Sequence, residues 1–297
     1  MNTRKMRDLI GTKLMLVATL SVALLFFILF FFFLIEALPI LSSYSPVDLL
    51  FSSVWNPGAG DFGLFAIIVG TFMVTGIALL IAIPISLLSA IYISEYAQAR
   101  TKRFIRPFID VLAGVPSVVY GLCAFLFLVP LVRDVIAPLF GVVSNGLCIF
   151  SAAVILAVMV FPIIISLCVE SFSAIPLSLI ESSLSVGATK WETVKKVVFR
   201  ASAPNIISAI LLGFGRAFGE TIAVTMVVGG VPRIPSTVFG PGQTLASYIA
   251  SGIGDLLSIP LYESAFLMVA LILFIVVLLF NLLGLLILRR ARKRWSY

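Results

Sequence analysis

The sequence predicts an all-α, polytopic membrane protein with six transmembrane helices and a cytoplasmic helical hairpin, on three observations. Of its 297 residues 61% are hydrophobic and only 11% are charged, whereas about a quarter are charged in soluble domains. That excludes a water-soluble enzyme. A mean hydropathy of +1.22 demands several apolar runs of about 20 residues rather than one anchor on a globular domain. Finally, the basic residues cluster in alternate loops, the pattern of a chain that crosses a bilayer repeatedly.

Runs long enough to cross about 30 Å of hydrocarbon fall near residues 14–35, 64–93, 107–132, 147–169, 205–229 and 264–288. The first follows Arg4, Lys5 and Arg7 but continues through Phe30–Phe33 without a small-residue cleavage site. It exceeds a signal h-region and reads as a retained span. Residues 1–63 form a tail, first span and external loop, 64–288 the main transmembrane domain, and 289–297 a basic tail.

Of the 20 Lys and Arg, only Arg133, Arg216 and Arg233 lie outside the N-terminal tail, the loops after spans two and four, and the C-terminal tail. Lys and Arg are retained on the cytoplasmic side, so both termini are expected there. The net charge of +7 is thereby spread over membrane-flanking clusters and implies no nucleic-acid partner. With no His, and with Cys123, Cys148 and Cys168 unpaired in spacing, no disulfide framework, metal site or catalytic base is indicated. Transport or membrane anchoring remain.

The connection Ser171–Pro204 has its own helix punctuation. Pro176 suits a first helical turn, and Leu177, Ile180 and Leu184 recur at helical spacing until Gly187, a natural C′ residue. Thr189 with Glu192 then forms a capping box ahead of Val194, Val197 and Val198. An amphipathic helix lying in the headgroup layer is the alternative.

The order Glu181-Ser-Ser, Gly187, Ala188-Thr189-Lys190-Trp191-Glu192-Thr193 resembles the EAA loop of permease subunits of bacterial ABC importers. Ser182 and Ser183 replace the family's two alanines, and Arg200 stands where the family has proline. The resemblance implies a type I importer permease fold in which Glu181, Gly187, Ala188, Thr189, Trp191 and Glu192 couple the spans to a separate ATPase. The chain has no Walker glycine loop. It carries no cofactor and is no enzyme itself, ATP and Mg being held by the partner.

Two stretches narrow the resemblance. Leu112-Ala-Gly-Val-Pro-Ser-Val-Val-Tyr-Gly-Leu122 and Gly215-Arg-Ala-Phe-Gly-Glu-Thr221 are similar to motifs of phosphate ABC permeases. Ser94-Glu-Tyr-Ala97 and Trp55-Asn-Pro57 fit the PstC-type subunit better than its PstA-type partner. Implied partners are a PstA-type permease subunit, a PstB-type ATPase dimer, a PstS-type phosphate-binding protein, inorganic phosphate and the bacterial inner membrane.

Independently of any resemblance, Arg216 would sit about 16 Å into span five, where a charge costs about 3 kcal/mol. Glu220, four residues on, is placed to pair with it on one helical face. Such a pair either marks a pathway or fixes packing, and Gly215 with Gly219 is also a small-xxx-small motif. The resemblance assigns the pair to the substrate path, which the uncharged donors Ser117 and Tyr120 of span three and Thr221 and Thr225 of span five could extend. Thr and Ser also bond back to their own turn in membrane helices, and Tyr120 alternatively fills the bundle. Pro84 and Pro116 are kink candidates, and Asp110 and Glu170 are expected at the cytoplasmic interface. The Pro- and Gly-rich loop 231–263 either docks a binding protein or is a solvated linker. Rival readings are a permease for another oxyanion or small solute, and a non-transporting membrane scaffold or sensor.

Overall fold

The computed structural model describes residues 3–56, 58, 60–252 and 260–295. Pro57 of the Trp55-Asn-Pro57 stretch and residues 253–259 of the loop 231–263 lie outside the described residues. The first helix, α1 (Thr3–Ser43), is far longer than its apolar run. It lies against the last helix, α12 (Pro260–Trp295), with Phe26, Phe30 and Phe33 ringed around Phe274. Its other faces are open. After α2 (Pro46–Phe51), a two-stranded ribbon of β1 (Trp55–Asn56) and β2 (Asp61–Phe62) pairs Trp55 with Phe62.

Span two is α3 (Phe65–Ile91), which runs unbroken through Pro84 and ends in a π-turn, Tyr92–Tyr96, closed by the Ala97 N–H on the Tyr92 carbonyl at 2.8 Å. The span expected at 107–132 is two helices. An amphipathic α4 (Ala99–Gly114), with no buried residue, is followed by extended Val115 and then by α5 (Ser117–Leu139). Pro116 forces the break because its ring pushes the preceding residue out of the helical region and it has no N–H to donate. Two π-turns, Ala124–Leu128 and Val132–Ile136, punctuate α5.

At the centre is α6 (Ile149–Ser173), packed on α3, α4 and the later helices. Ala152, Ala153 and Ala157 on α6 and Ala78 and Ala82 on α3 are fully buried. Small side chains here let helix backbones approach, the usual basis of association inside a bilayer. The hairpin follows as α7 (Leu177–Ser185) and α8 (Lys190–Ala201). At Ser202 the chain turns by 70° into α9 (Ala203–Gly219).

The span expected at 205–229 is also broken. Helix α9 stops at Gly219, Glu220 is extended with ψ 125°, and a short α10 (Ile222–Val227) resumes. Among the described residues five helices are by themselves long and apolar enough to cross a bilayer, and α8 with α9, bent by 70°, passes the same test when taken together.

The loop after α10 is tied to the start of α6 rather than solvated. Phe150 N–H donates to Val238 at 2.9 Å, Ile149 N–H to Gly240 at 3.2 Å, and Gly242 N–H to Val228 at 2.9 Å. Phe239, Gln243 and Thr244 are buried, and α11 (Leu245–Gly252) is held to α3 by the Leu245 N–H on Thr71 Oγ1 at 2.8 Å.

Gly213 sets the contact of α9 with α6, since an added Cβ would stand 2.9 Å from the Ile164 side chain and 3.0 Å from Val160. Gly213→Leu should therefore cost about 1–3 kcal/mol through overpacking. A fall in thermal stability of the purified chain in nanodiscs, absent in Gly215→Ala where the added Cβ meets nothing within 4 Å, checks this.

Candidate functional site

The two helix breaks are neighbours. Helix α5 packs on α10, and Gly121 permits it, since a Cβ there would lie 2.7 Å from Met226 Sδ and 3.0 Å from Ala223 Cα. Inside a bilayer an interrupted backbone must find other partners. The Tyr120 hydroxyl donates to the Leu112 carbonyl at 2.8 Å, spanning the Val115–Pro116 break. Glu220 Oε1 accepts the Ala223 N–H at 3.4 Å, across the second.

The expected Arg216–Glu220 ion pair is not closed: among the described residues the salt bridges are Arg133–Asp134 and Lys196–Glu192. The reason is the break itself. Four residues bring two side chains together only on a continuous helix, and Glu220 has left α9 to cap α10. Arg216, in the last turn of α9, is exposed. It shares an uncovered face with Leu212, 59% exposed, and with Gly215 and Gly219. Gly215 and Gly219, the small-xxx-small pair, face open space, while Gly213 meets α6.

The uncharged residues divide. Tyr120 is buried and its proton is committed to Leu112. Thr221 Oγ1 donates to Gly219 at 3.0 Å and Thr225 Oγ1 to Thr221 at 2.7 Å, so both hydroxyls bond back to local backbone and keep only acceptor capacity. Ser117, the first residue of α5, is partly exposed.

The hairpin forms as its punctuation predicts. Gly187 takes φ +87°, the left-handed conformation that suits glycine. Ala188 N–H reaches the Ser183 carbonyl at 3.3 Å and Gly187 N–H the Leu184 carbonyl at 3.0 Å, which together make a Schellman cap. Thr189 Oγ1 accepts the Glu192 N–H at 3.3 Å while Glu192 Oε2 accepts the Thr189 N–H at 3.0 Å. Val194 and Val198 are buried on the bundle, and Val197 is half-buried. Ser183 and Thr193 hydroxyls, 3.0 Å apart, join the two helices, and Lys190 Nζ lies 4.7 Å over the Tyr96 ring at the end of α3. Facing out are Glu181, Leu177 (71% exposed), Val186 (84%) and Trp191 (53%). That is an apolar, ridge-shaped surface.

Sequence reasoning placed Glu170 at the cytoplasmic interface but missed the polar stripe it belongs to, on the half of α6 nearest this hairpin. Ser166, Glu170 and Ser173 are all exposed there. Their 4- and 3-residue spacing within an apolar helix was the available signal. Glu170 and Asp110 line a common cavity with Arg106, which periodicity alone does not reveal.

A family model described as binding-protein-dependent transport system inner membrane component matches residues 82–293. The chain belongs to this family. A relative from Methanocaldococcus jannaschii, named probable phosphate transport system permease protein PstC, is 34% identical over 295 residues, covering 94% of this chain and 93% of the relative. A phosphate transport system permease protein PstC from Haemophilus influenzae is 32% identical, with 91% of each chain covered. A chain of the inward-facing MetNI methionine ABC transporter shares the fold at TM-score 0.54 and 20% identity, covering 77% of this chain and 94% of that one. A bacterial ABC transporter involved in importing alginate shares it at TM-score 0.58 and 16% identity, covering 94% and 98%. This inner membrane component is thus a multi-pass transport subunit with the helical fold of ABC importers.

The Glu192 carboxyl is held below the ordinary glutamate value by the Thr189 N–H, then by the Thr189 hydroxyl and the charge of Lys196. A carboxyl depressed in the folded state stabilises above the ordinary value of about 4.3, and that contribution is lost as pH falls through the depressed value. Thr189→Ala should weaken the hairpin by about 1 kcal/mol and Gly187→Ala by about 1–2 kcal/mol. Both are read as lost hydrogen-exchange protection across α7 and α8, and the Thr189 effect should shrink below pH 4.

Proposed function

We propose that the chain is the PstC-type permease subunit of an ATP-driven importer of inorganic phosphate, supplying half of the translocation path. The observation that carries this is Arg216 on an uncovered face of α9 beside a helix break, in a chain whose relatives over nearly its full length are named phosphate permeases. The fold alone does not choose the substrate, because methionine and alginate importers share it. A guanidinium does, since its planar fork donates two parallel charge-assisted hydrogen bonds to an oxyanion. Charges at this depth mark pathways rather than lipid-facing surface.

With no salt bridge to Arg216 among the described residues, its guanidinium is available to the anion. Glu220 caps α10 rather than pairing with Arg216, and its negative charge across the break disfavours a long stay of the anion, so binding is transient and release follows. Ser117 lies at the first break, at the start of α5, and the acceptor oxygen of Thr221, with that of Thr225 one turn on, lies at the second.

The uncovered face of α9, with exposed Leu122 and Leu126 of α5, is where the PstA-type subunit would close the pore. The hairpin ridge of Glu181, Gly187, Ala188, Thr189, Trp191 and Glu192 would seat in one copy of a PstB-type ATPase dimer, which holds the ATP and Mg. The retention rule for Lys and Arg places the hairpin and both termini in the cytoplasm. A PstS-type protein would then deliver phosphate to the opposite end, where the loop 228–244 is anchored on α6. Approach of the ATPases would push the hairpin and switch the bundle between inward- and outward-facing states.

Labelled phosphate uptake into proteoliposomes holding this chain with its partners should require ATP and fall more than tenfold in Arg216→Gln, with the complex still assembled. Normal uptake by Arg216→Gln overturns the assignment of the path. Glu220→Gln should slow turnover while tightening phosphate binding. Gly187→Trp should abolish stimulation of the ATPase by loaded binding protein, an effect a non-transporting scaffold would not show.

A further inference from the structure

Helix α9 carries Asn205, Ser208, Leu212 and Arg216 at three- and four-residue intervals, hence on one face. Toward the hairpin end of that face, α9 and α6 enclose a cavity of about 390 Å³ whose walls include Leu167, Ala174, Ala209 and Leu212. Ser208, eight residues from Arg216, places it about 12 Å along the helix from the guanidinium.

The polar groups lining this cavity match no single structural need. Ser171 is 6% exposed and its Oγ is buried with no hydrogen-bond partner, although buried hydroxyls are almost always satisfied, so a turn about χ1 is what would present it to an anion in the cavity. Asn205 adds an exposed carboxamide with two N–H donors. Ser208 Oγ donates to the Pro204 carbonyl at 3.0 Å, leaving only acceptor capacity. Glu170 lines this cavity and a second one, of about 480 Å³, on the α4 side of α6. The charged group lining the α9 cavity is therefore a carboxylate, while its donors are neutral.

Neutral O–H and N–H donors replace part of an oxyanion's hydration without the Coulomb well of a cation. A carboxylate nearby shortens the stay. We propose that the α6–α9 cavity is a release station for a phosphate oxyanion, in which Ser171 and Asn205 donate to its oxygens after it leaves Arg216 and Glu170 drives it onward. The inference rests on the phosphate reading of the Arg216 path. A phospholipid headgroup offers the same oxyanion chemistry, so the test has an arm for each source.

The assembled complex is sealed in proteoliposomes with ATP and graded phosphate inside and loaded binding protein outside, and inhibition of uptake by the internal phosphate is measured. Asn205→Leu and Ser171→Ala should slow uptake several-fold and raise the inhibitory phosphate concentration at least threefold. Glu170→Gln should lower that concentration at least threefold. Opposite shifts cannot come from a general folding defect. Unshifted inhibition in all three, with wild-type uptake intact, overturns the release station and leaves the phosphate permease standing. Absence of phosphate uptake in the wild type overturns both. Repeating the series with phosphatidylcholine vesicles containing none or a third of phosphatidylglycerol separates the sources. Shifts that persist in both support free phosphate, and shifts that appear only with the anionic lipid overturn the proposal in favour of a headgroup.

Discussion

Hydrocarbon offers no hydrogen bonds, so a backbone can leave the helical ladder at depth only where side chains or neighbouring chain take up its freed groups. This constraint organises the molecule. The helices break at Val115–Pro116, between the amphipathic α4 and the span α5, and at Glu220–Thr221, and each break is bridged by one long polar side chain, Tyr120 to Leu112 and Glu220 to Ala223. Gly121 then lets the two repaired breaks pack against each other. The result is an irregular zone beside Arg216, supported by the regular, alanine-rich contact of α3 with α6.

That support divides the chain's labour. Helix α6 is buried by its neighbours along most of its length and carries the fixed frame, whereas α1 touches little besides α12 and adds no wall to the central packing. Helix α9 does both jobs. Its Gly213 side presses on α6, and its Arg216 side is uncovered. The 70° turn at Ser202 joins α9 directly to the hairpin, and Lys190 over Tyr96 ties the hairpin to α3 as well. The exposed hairpin surface is thus connected to α3 and α9, two of the helices that pack on α6, and α9 bears Arg216.

The hairpin was the most legible part of the sequence, because every signal in it is local. Gly187 answers a left-handed C′ position and Thr189 with Glu192 a capping box, both set by residues within a turn of each other. The site was less legible. Arg216 and Glu220 were found as intramembrane charges, but their pairing assumed a continuous helix, and the extended Glu220 removes that assumption. Ser166, Glu170 and Ser173 showed helical spacing, yet nothing local says that α4 and α9 leave cavities on either side of them.

By itself the sequence determined that the chain spans a membrane and roughly where it does so, since these follow from apolar length, which needs no neighbours. It also determined the hairpin, whose hydrogen bonds close within a few residues. Tertiary structure decided where the spans break, which glycines meet another helix and which face open space, and which polar groups share a cavity. Those outcomes depend on partners distant in sequence, because inside a bilayer a helix may be interrupted only where another part of the fold stands ready to complete it.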